Sequence, residues 1–265
     1  MIHGFHLIGM AGHDGPIGIY SFEFWQWVLL IVGATVAGFS KTGIPGSSIL
    51  FVAIFPNLMP ARQATGIILP MLIFADLFAY AIYRKHLEWR RVGRLLPWAL
   101  LGVLFGWLTL GRINDAQTTQ IVGGILALML ALHVWRSRGA VDTAVAHAPL
   151  WFGPVMGLFA GFTTMVANAA GPVMALYLLA MRLPKLEFLG TGAAFFLVIN
   201  WIKVPFIAQL GLITADSLKL NLCLLPAVAF GALMGRPVVE RVNQRLFEMI
   251  VLVLTAVAVL KLLLF

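Results

Sequence analysis

Charge is what this chain has little of. Only 11% of its 265 residues are Asp, Glu, Lys or Arg, while 61% are hydrophobic. A soluble domain is about a quarter charged, so this composition cannot clothe a water-facing surface. A soluble enzyme or binding module is excluded. Cysteine is almost absent as well. The lone Cys223 rules out an internal disulfide framework and a cysteine-rich metal site. It sits in an apolar run and reads as a small packing residue. Catalytic signatures are missing too. The chain has no His-Glu-x-x-His helix, no Walker loop and no Gly-x-Ser-x-Gly elbow. No metal, no cofactor and no enzymatic activity are therefore expected. Without a nucleotide site, any uphill work must draw on an ion or substrate gradient, or on a separate ATPase.

The net charge of +8 does not point to nucleic acid. The basic residues lie in short clusters between apolar runs, as in the cytoplasmic loops of membrane proteins, and no basic face exists to hold a duplex. Residues 1–20 lack Lys and Arg, so they do not form a signal peptide. With His3, His6 and His13 they read as a polar extracytoplasmic tail over 1–21.

What is present is a set of long apolar runs, written twice. Ala37-Gly38-Phe39 recurs as Ala160-Gly161-Phe162, and Thr65-Gly66 as Thr191-Gly192. Leu96-Pro97, Gly102, Gly106, Arg112 and Asn114 recur as Leu225-Pro226, Gly231, Gly235, Arg241 and Asn243. The offset grows from 123 to 126 to 129, as expected for two copies of one unit with small loop insertions. Apolar runs and breakers predict five helical pieces per copy. In the first they cover 22–39, 46–58, 63–84, 93–110 and 117–136. In the second they cover 149–167, 171–182, 188–210, 218–235 and 245–265. The copies occupy 22–136 and 149–265, joined by a cytoplasmic linker over 137–148.

A membrane span needs roughly 20 apolar residues. The second piece of each copy is too short, and each follows Gly/Pro breakers: Ser40 to Gly46 in one copy, Thr163 to Gly171-Pro172 in the other. An interrupted helix survives at membrane depth only inside protein or beside a watery cavity. The first two pieces of each copy therefore read as short or re-entrant helices meeting at a broken tip. With the N-terminus outside and each piece reversing direction, thirteen basic residues fall inside, from Lys41 through Arg84–Arg94 to Arg245. Only Arg62, Arg112 and Lys219 fall outside. An odd number of pieces per copy makes the copies inverted, which places a site near the midplane. Trp25, Trp27, Trp89, Trp135 and Trp151 fall near span ends as an aromatic belt, and the basic cluster Arg84–Arg94 faces anionic lipid.

The broken tips are the candidate binding elements. The second half of a broken helix offers unpaired N–H groups and a positive dipole end, where anions bind. The first tip supplies Lys41, Thr42, Gly43, Gly46, Ser47 and Ser48. The second supplies Thr163, Thr164, Asn168 and Gly171. Together they predict a polar, acid-free pocket for a small oxyanion. Asp76 lies within the third piece, and Asn200 and Lys203 lie at corresponding depth in its counterpart, on one helix face. A charge in a membrane helix is costly unless paired or hydrated. Asp76 and Lys203 are thus expected to pair across the two-fold or to face the cavity, in a gating or coupling role. Asp76 is also a candidate carrier of a coupling proton.

These residues resemble the sulfite exporter TauE/SafE-like family of transmembrane anion permeases. The resemblance runs over about 24–265. It rests on Ala37-Gly38-Phe39 leading to the Gly43/Gly46 break, on Ala160-Gly161-Phe162 leading to Gly171-Pro172, and on Gly190-Thr191-Gly192. Asn200-x-x-Lys203 and the Gly-x-x-x-Gly spacings at Gly102/Gly106 and Gly231/Gly235 carry the rest. It implies transport, by export or uptake, of sulfite, sulfonates or related small anions. The expectation is an all-α polytopic protein of the bacterial inner membrane, built from two inverted repeats, acting as a secondary transporter. Its partners are a small anion, a coupling proton or other ion, and membrane lipid. A passive anion channel and a membrane-embedded enzyme using Ser47 are the alternatives.

Overall fold

The computed structural model describes residues 22–48, 51, 54–55, 58–59, 61–110, 112, 115–139 and 151–264. The histidine-bearing tail, about half of the second helical piece and most of the linker lie outside the described residues. Helices run in the order α1 (Phe24–Thr42), α2 (Ala61–Tyr83), α3 (Trp89–Leu110), α4 (Asp115–Gly139), α5 (Phe152–Ala167), α6 (Ala170–Ala180), α7 (Lys185–Gln209), α8 (Ala215–Arg241) and α9 (Gln244–Leu264), with a 3₁₀ turn at Arg84–His86 after α2. No strand occurs among the described residues. Five of these helices are long and apolar enough to cross a membrane. The protein is a multi-pass, all-helical membrane protein.

Helix ends differ from expectation where proline is involved. The break expected after residue 235 does not occur, and α8 continues through Arg236-Pro237 to Arg241. Pro70, Pro97, Pro205 and Pro226 also lie inside helices. Within a membrane bundle, neighbouring helices can satisfy the backbone groups a proline frees. Likewise α4 runs on to Gly139, so helix occupies the first residues of the expected linker.

Each long seam joins one sequence half to the other. Helix α1 packs along α8, and α3 packs along α5. The two seams use corresponding glycines. A methyl group at Gly38 of α1 would overlap the Val228 carbonyl of α8, and one at Gly231 of α8 would overlap the Thr35 carbonyl of α1. In the other seam, Gly161 of α5 meets the Ala99 carbonyl of α3, and Gly102 of α3 meets the Leu158 carbonyl of α5. Small residues permit this backbone contact, which stands in for the hydrophobic drive that lipid cannot supply. The opposite faces of α3 and α8 expose Leu101, Leu104 and Phe105, and Phe230, Leu233 and Met234. An apolar face of that size suits hydrocarbon. A third packing across the two halves joins α2 to α7.

Candidate functional site

Two interrupted helices meet beside the α2–α7 pair. The second tip is the simpler. Helix α5 ends at Asn168, whose φ of 51° is left-handed. Its N–H donates to Thr164 O at 3.1 Å, and the next N–H, of Ala169, donates to Thr163 O at 3.1 Å. The bond from Asn168 to Thr164 is that of an αL ending, and asparagine is among the few non-glycine residues that accept its left-handed position. The chain then turns straight into α6, whose first residues are Ala170, Gly171 and Pro172. No side chain caps this N-terminus, so its positive end stays available at Gly171.

The first tip is built by a turn. Helix α1 ends at Thr42, and the Gly43 N–H donates back to Phe39 O at 2.7 Å. Ile44-Pro45-Gly46-Ser47 then reverses the chain, closed by Ser47 N–H to Ile44 O at 3.3 Å. Gly46 has φ +97°, a value that only glycine adopts readily, and proline before it suits a type II turn. The end of α1 is pinned from two sides. Tyr83 of α2 donates its hydroxyl to Thr42 O at 2.6 Å, and Thr42 Oγ1 donates to Ala232 O of α8 at 2.6 Å. Lys41, in that last turn, is therefore fixed in position.

The tips face one another. A Cβ on Gly171 would lie 3.0 Å from Ser48 Oγ. Between them and α7 is a cavity of about 50 Å³, room for only a few waters. Its polar wall is Ser40, Lys41, Ser48, Thr164, Asn168 and Asn200. Its apolar wall includes Met174 and Leu178 of α6 and Phe188 and Phe196 of α7. No carboxylate lines it among the described residues.

Behind this wall lies a chain of buried charges. Lys41 Nζ stands 2.8 Å from Asp76 Oδ1 and 3.8 Å from the centre of the Phe196 ring. The lysine side chain is 11% exposed and the aspartate 0%, so the cation faces the cavity and the carboxylate stands behind it. Asn200 Nδ2 donates to Asp76 Oδ2 at 2.7 Å. Lys203 Nζ donates to Asn168 Oδ1 at 2.6 Å, Thr164 Oγ1 at 3.1 Å and Asn200 Oδ1 at 3.5 Å. The expected contact between Asp76 and Lys203 is thus replaced. Asp76 takes Lys41 as its direct partner, because α1 ends against α2 at that depth, and Asn200 stands between the aspartate and Lys203. Lys41 is also no free loop charge, so it leaves the count of solvated inner cations.

Of the expected site residues, Lys41, Gly46, Ser48, Thr164, Asn168, Gly171 and Asn200 line the cavity. Thr42, Gly43, Ser47, Thr163, Asp76 and Lys203 do not. Ser47 Oγ donates to Ile44 O in its own turn, and Thr163 Oγ1 to Phe159 O one helical turn back. Both hydroxyls serve local backbone. The sequence reading passed over Ser40, Phe188, Gly192 and Phe196. A signal for three of them existed. Counting back from Asn200 by fours gives Phe196, Gly192 and Phe188, one face of one helix.

A cation on an aromatic platform, hydroxyl and amide groups, and an uncapped helix start can together hold a small anion stripped of water. Residues 29–262 match the family model described as Sulfite exporter TauE/SafE. No curated protein and no solved structure matches the chain.

Proposed function

Because the chain belongs to the sulfite exporter TauE/SafE family, we propose that it is a secondary transporter that exports a small sulfur oxyanion or organosulfonate across the bacterial inner membrane. The observation that carries this reading is the acid-free cavity between two broken tips, with the Lys41 ammonium in its wall. The anion binds between Lys41 and Ser48 on one side and Thr164, Asn168 and the α6 start at Gly171 on the other. The two sequence halves are inverted repeats, and the reciprocal α1–α8 and α3–α5 seams support that relation. A site shared by both tips then opens to either side as the halves rock about it. Asp76 couples or gates by competing with the anion for Lys41. When the cavity is empty, the carboxylate holds the ammonium in place.

The test is flux of labelled sulfite into proteoliposomes holding purified protein. A transporter saturates and accumulates sulfite against its gradient when a proton or counter-anion gradient is imposed. Lys41→Met should abolish binding in folded protein. Flux that never saturates and only runs downhill identifies a channel instead. Full activity in Lys41→Met removes the site from the cavity.

A further inference from the structure

We propose that this cavity selects anions carrying one negative charge over those carrying two, and that Lys203 is the positioning residue that sets this selectivity from behind the wall. The inference rests on the anion-transport reading of the same site.

Lys203 is fully buried and does not line the cavity. An ammonium has three N–H groups and no acceptor. Here three oxygens receive them, from Asn168, Thr164 and Asn200, and all three belong to neutral side chains. All three are also cavity wall, and Thr164 and Asn168 belong to the second tip. Their polarity towards the cavity follows. A hydroxyl whose oxygen accepts from an ammonium must aim its own hydrogen elsewhere. An amide whose Oδ1 accepts has only its NH₂ left to offer. Lys203 thereby obliges the second tip to present donors, which suits an anion. With a neutral residue at 203, both groups are free to turn and present oxygen.

The charge count follows from the same contacts. With the lysines protonated and the carboxyl ionised, Lys41 and Lys203 bring two positive charges and Asp76 one negative charge to these contacts. Asp76 touches Lys41 directly and reaches Lys203 only through Asn200. The cluster therefore holds one surplus positive charge inside the membrane, where an uncompensated ion is expensive. A bound monoanion cancels it. A dianion overshoots, leaving a negative charge in a space of about 50 Å³. At membrane depth that uncompensated excess is costly.

Methanesulfonate and sulfate test this, because they are similar tetrahedral ions with one and two charges. Hydrogensulfite, held at acidic pH, serves as a second monoanion. Equilibrium binding to the purified full-length protein gives the Kd ratio. In the native protein, the tighter monoanion should bind at least about tenfold more tightly than sulfate. Asp76→Asn raises the surplus to two and should shift the ratio towards sulfate by at least about tenfold. Lys203→Met removes the surplus and the donor polarity, and should weaken monoanion binding by at least about tenfold. Asp76→Asn should thus move the ratio towards sulfate and Lys203→Met further away from it, whereas a merely structural role for either residue would leave the ratio unmoved. Sulfate binding as tightly as the tighter monoanion in the native protein overturns the proposal. So does an unchanged ratio in folded Asp76→Asn protein. If Lys203→Met fails to fold, Lys203→Gln, which removes the same charge, takes its place, and an unchanged ratio there also overturns the proposal. If no anion of the three binds, the transport reading falls together with this one.

Discussion

The same glycine-to-alanine substitution should have opposite effects at two places on one helix. Gly161 and Gly153 both lie in α5. A methyl at Gly161 would overlap the Ala99 backbone carbonyl, whereas a Cβ at Gly153 meets nothing within 4 Å. Helix α3 offers the matching pair, Gly102 against the Leu158 carbonyl and Gly93 with nothing within 4 Å. Alanine in place of an unstrained helical glycine gains about 0.5–1 kcal/mol of helix preference at all four positions. The seam positions also carry an overpacking cost of about 1–3 kcal/mol, because backbone cannot step aside as a flexible side chain does. The helix gain cancels in the comparison, so the gap between a seam variant and its control is the overpacking cost alone. For a protein of this size it corresponds to about 2–12 °C, at about 2–4 °C per kcal/mol. Thermal unfolding of Gly153→Ala, Gly161→Ala, Gly93→Ala and Gly102→Ala in one detergent gives both gaps. Gly153→Ala and Gly93→Ala should melt at or slightly above the native protein, the seam variants well below it. Equal melting temperatures within each pair would refute the backbone seam.

The ion pair gives a second expectation. Lys41→Met leaves the fully buried Asp76 with only Asn200, a loss of about 3–5 kcal/mol, whereas Asp76→Asn leaves a cation beside the cavity and Phe196. The first should therefore cost more stability than the second, and the double variant less than their sum, by about 0.5–3 kcal/mol. Strict additivity in chemical unfolding rules the pair out. Asn168→Gly keeps the left-handed ending but loses the amide that accepts from buried Lys203, so anion affinity should fall and stability should drop by about 1.5–3 kcal/mol, the worth of a hydrogen bond to a charged group. Asn168→Val should lose both, since a β-branched residue is strained at φ 51°. Equal affinity in Asn168→Gly and the native protein takes that amide out of binding.

Much of this architecture could be read from residue order, and what escaped has physical reasons. The tips were legible because glycine, proline and asparagine mark broken helices locally. Gly46 and Asn168 each sit at a positive φ within a few residues of the expected break. Helix type and rough extent followed from long apolar runs. The end of α8 did not, because Pro237 reads as a stop in water yet is tolerated within a membrane bundle. The partner of Asp76 was missed for a different reason. Asn200 and Lys203 share a helix, so their pairing rule is local. The approach of Lys41 depends on how α1 ends against α2 and α7, which no local pattern states. Phe196 was overlooked because a phenylalanine in an apolar run looks like lipid-facing bulk until a cation is known to sit over it.

The crossed seams bear on how the molecule is made. The hydroxyl that locks the end of α1, on Thr42, bonds to a carbonyl 190 residues further along the chain. Ribosomes add about 5–20 residues each second, so α1 waits roughly 10–40 s in or beside the membrane before its partner exists. Throughout that interval its glycine face, shaped to meet backbone, has only lipid or another protein against it. The first half of the chain is thus not a finished object that the second half later joins. Lys41 and Asp76 can come together early, since α2 follows directly. The turn that aims Lys41 acquires its last support only when α8 arrives. An insertion factor that shields small-residue faces would have its longest task on this helix.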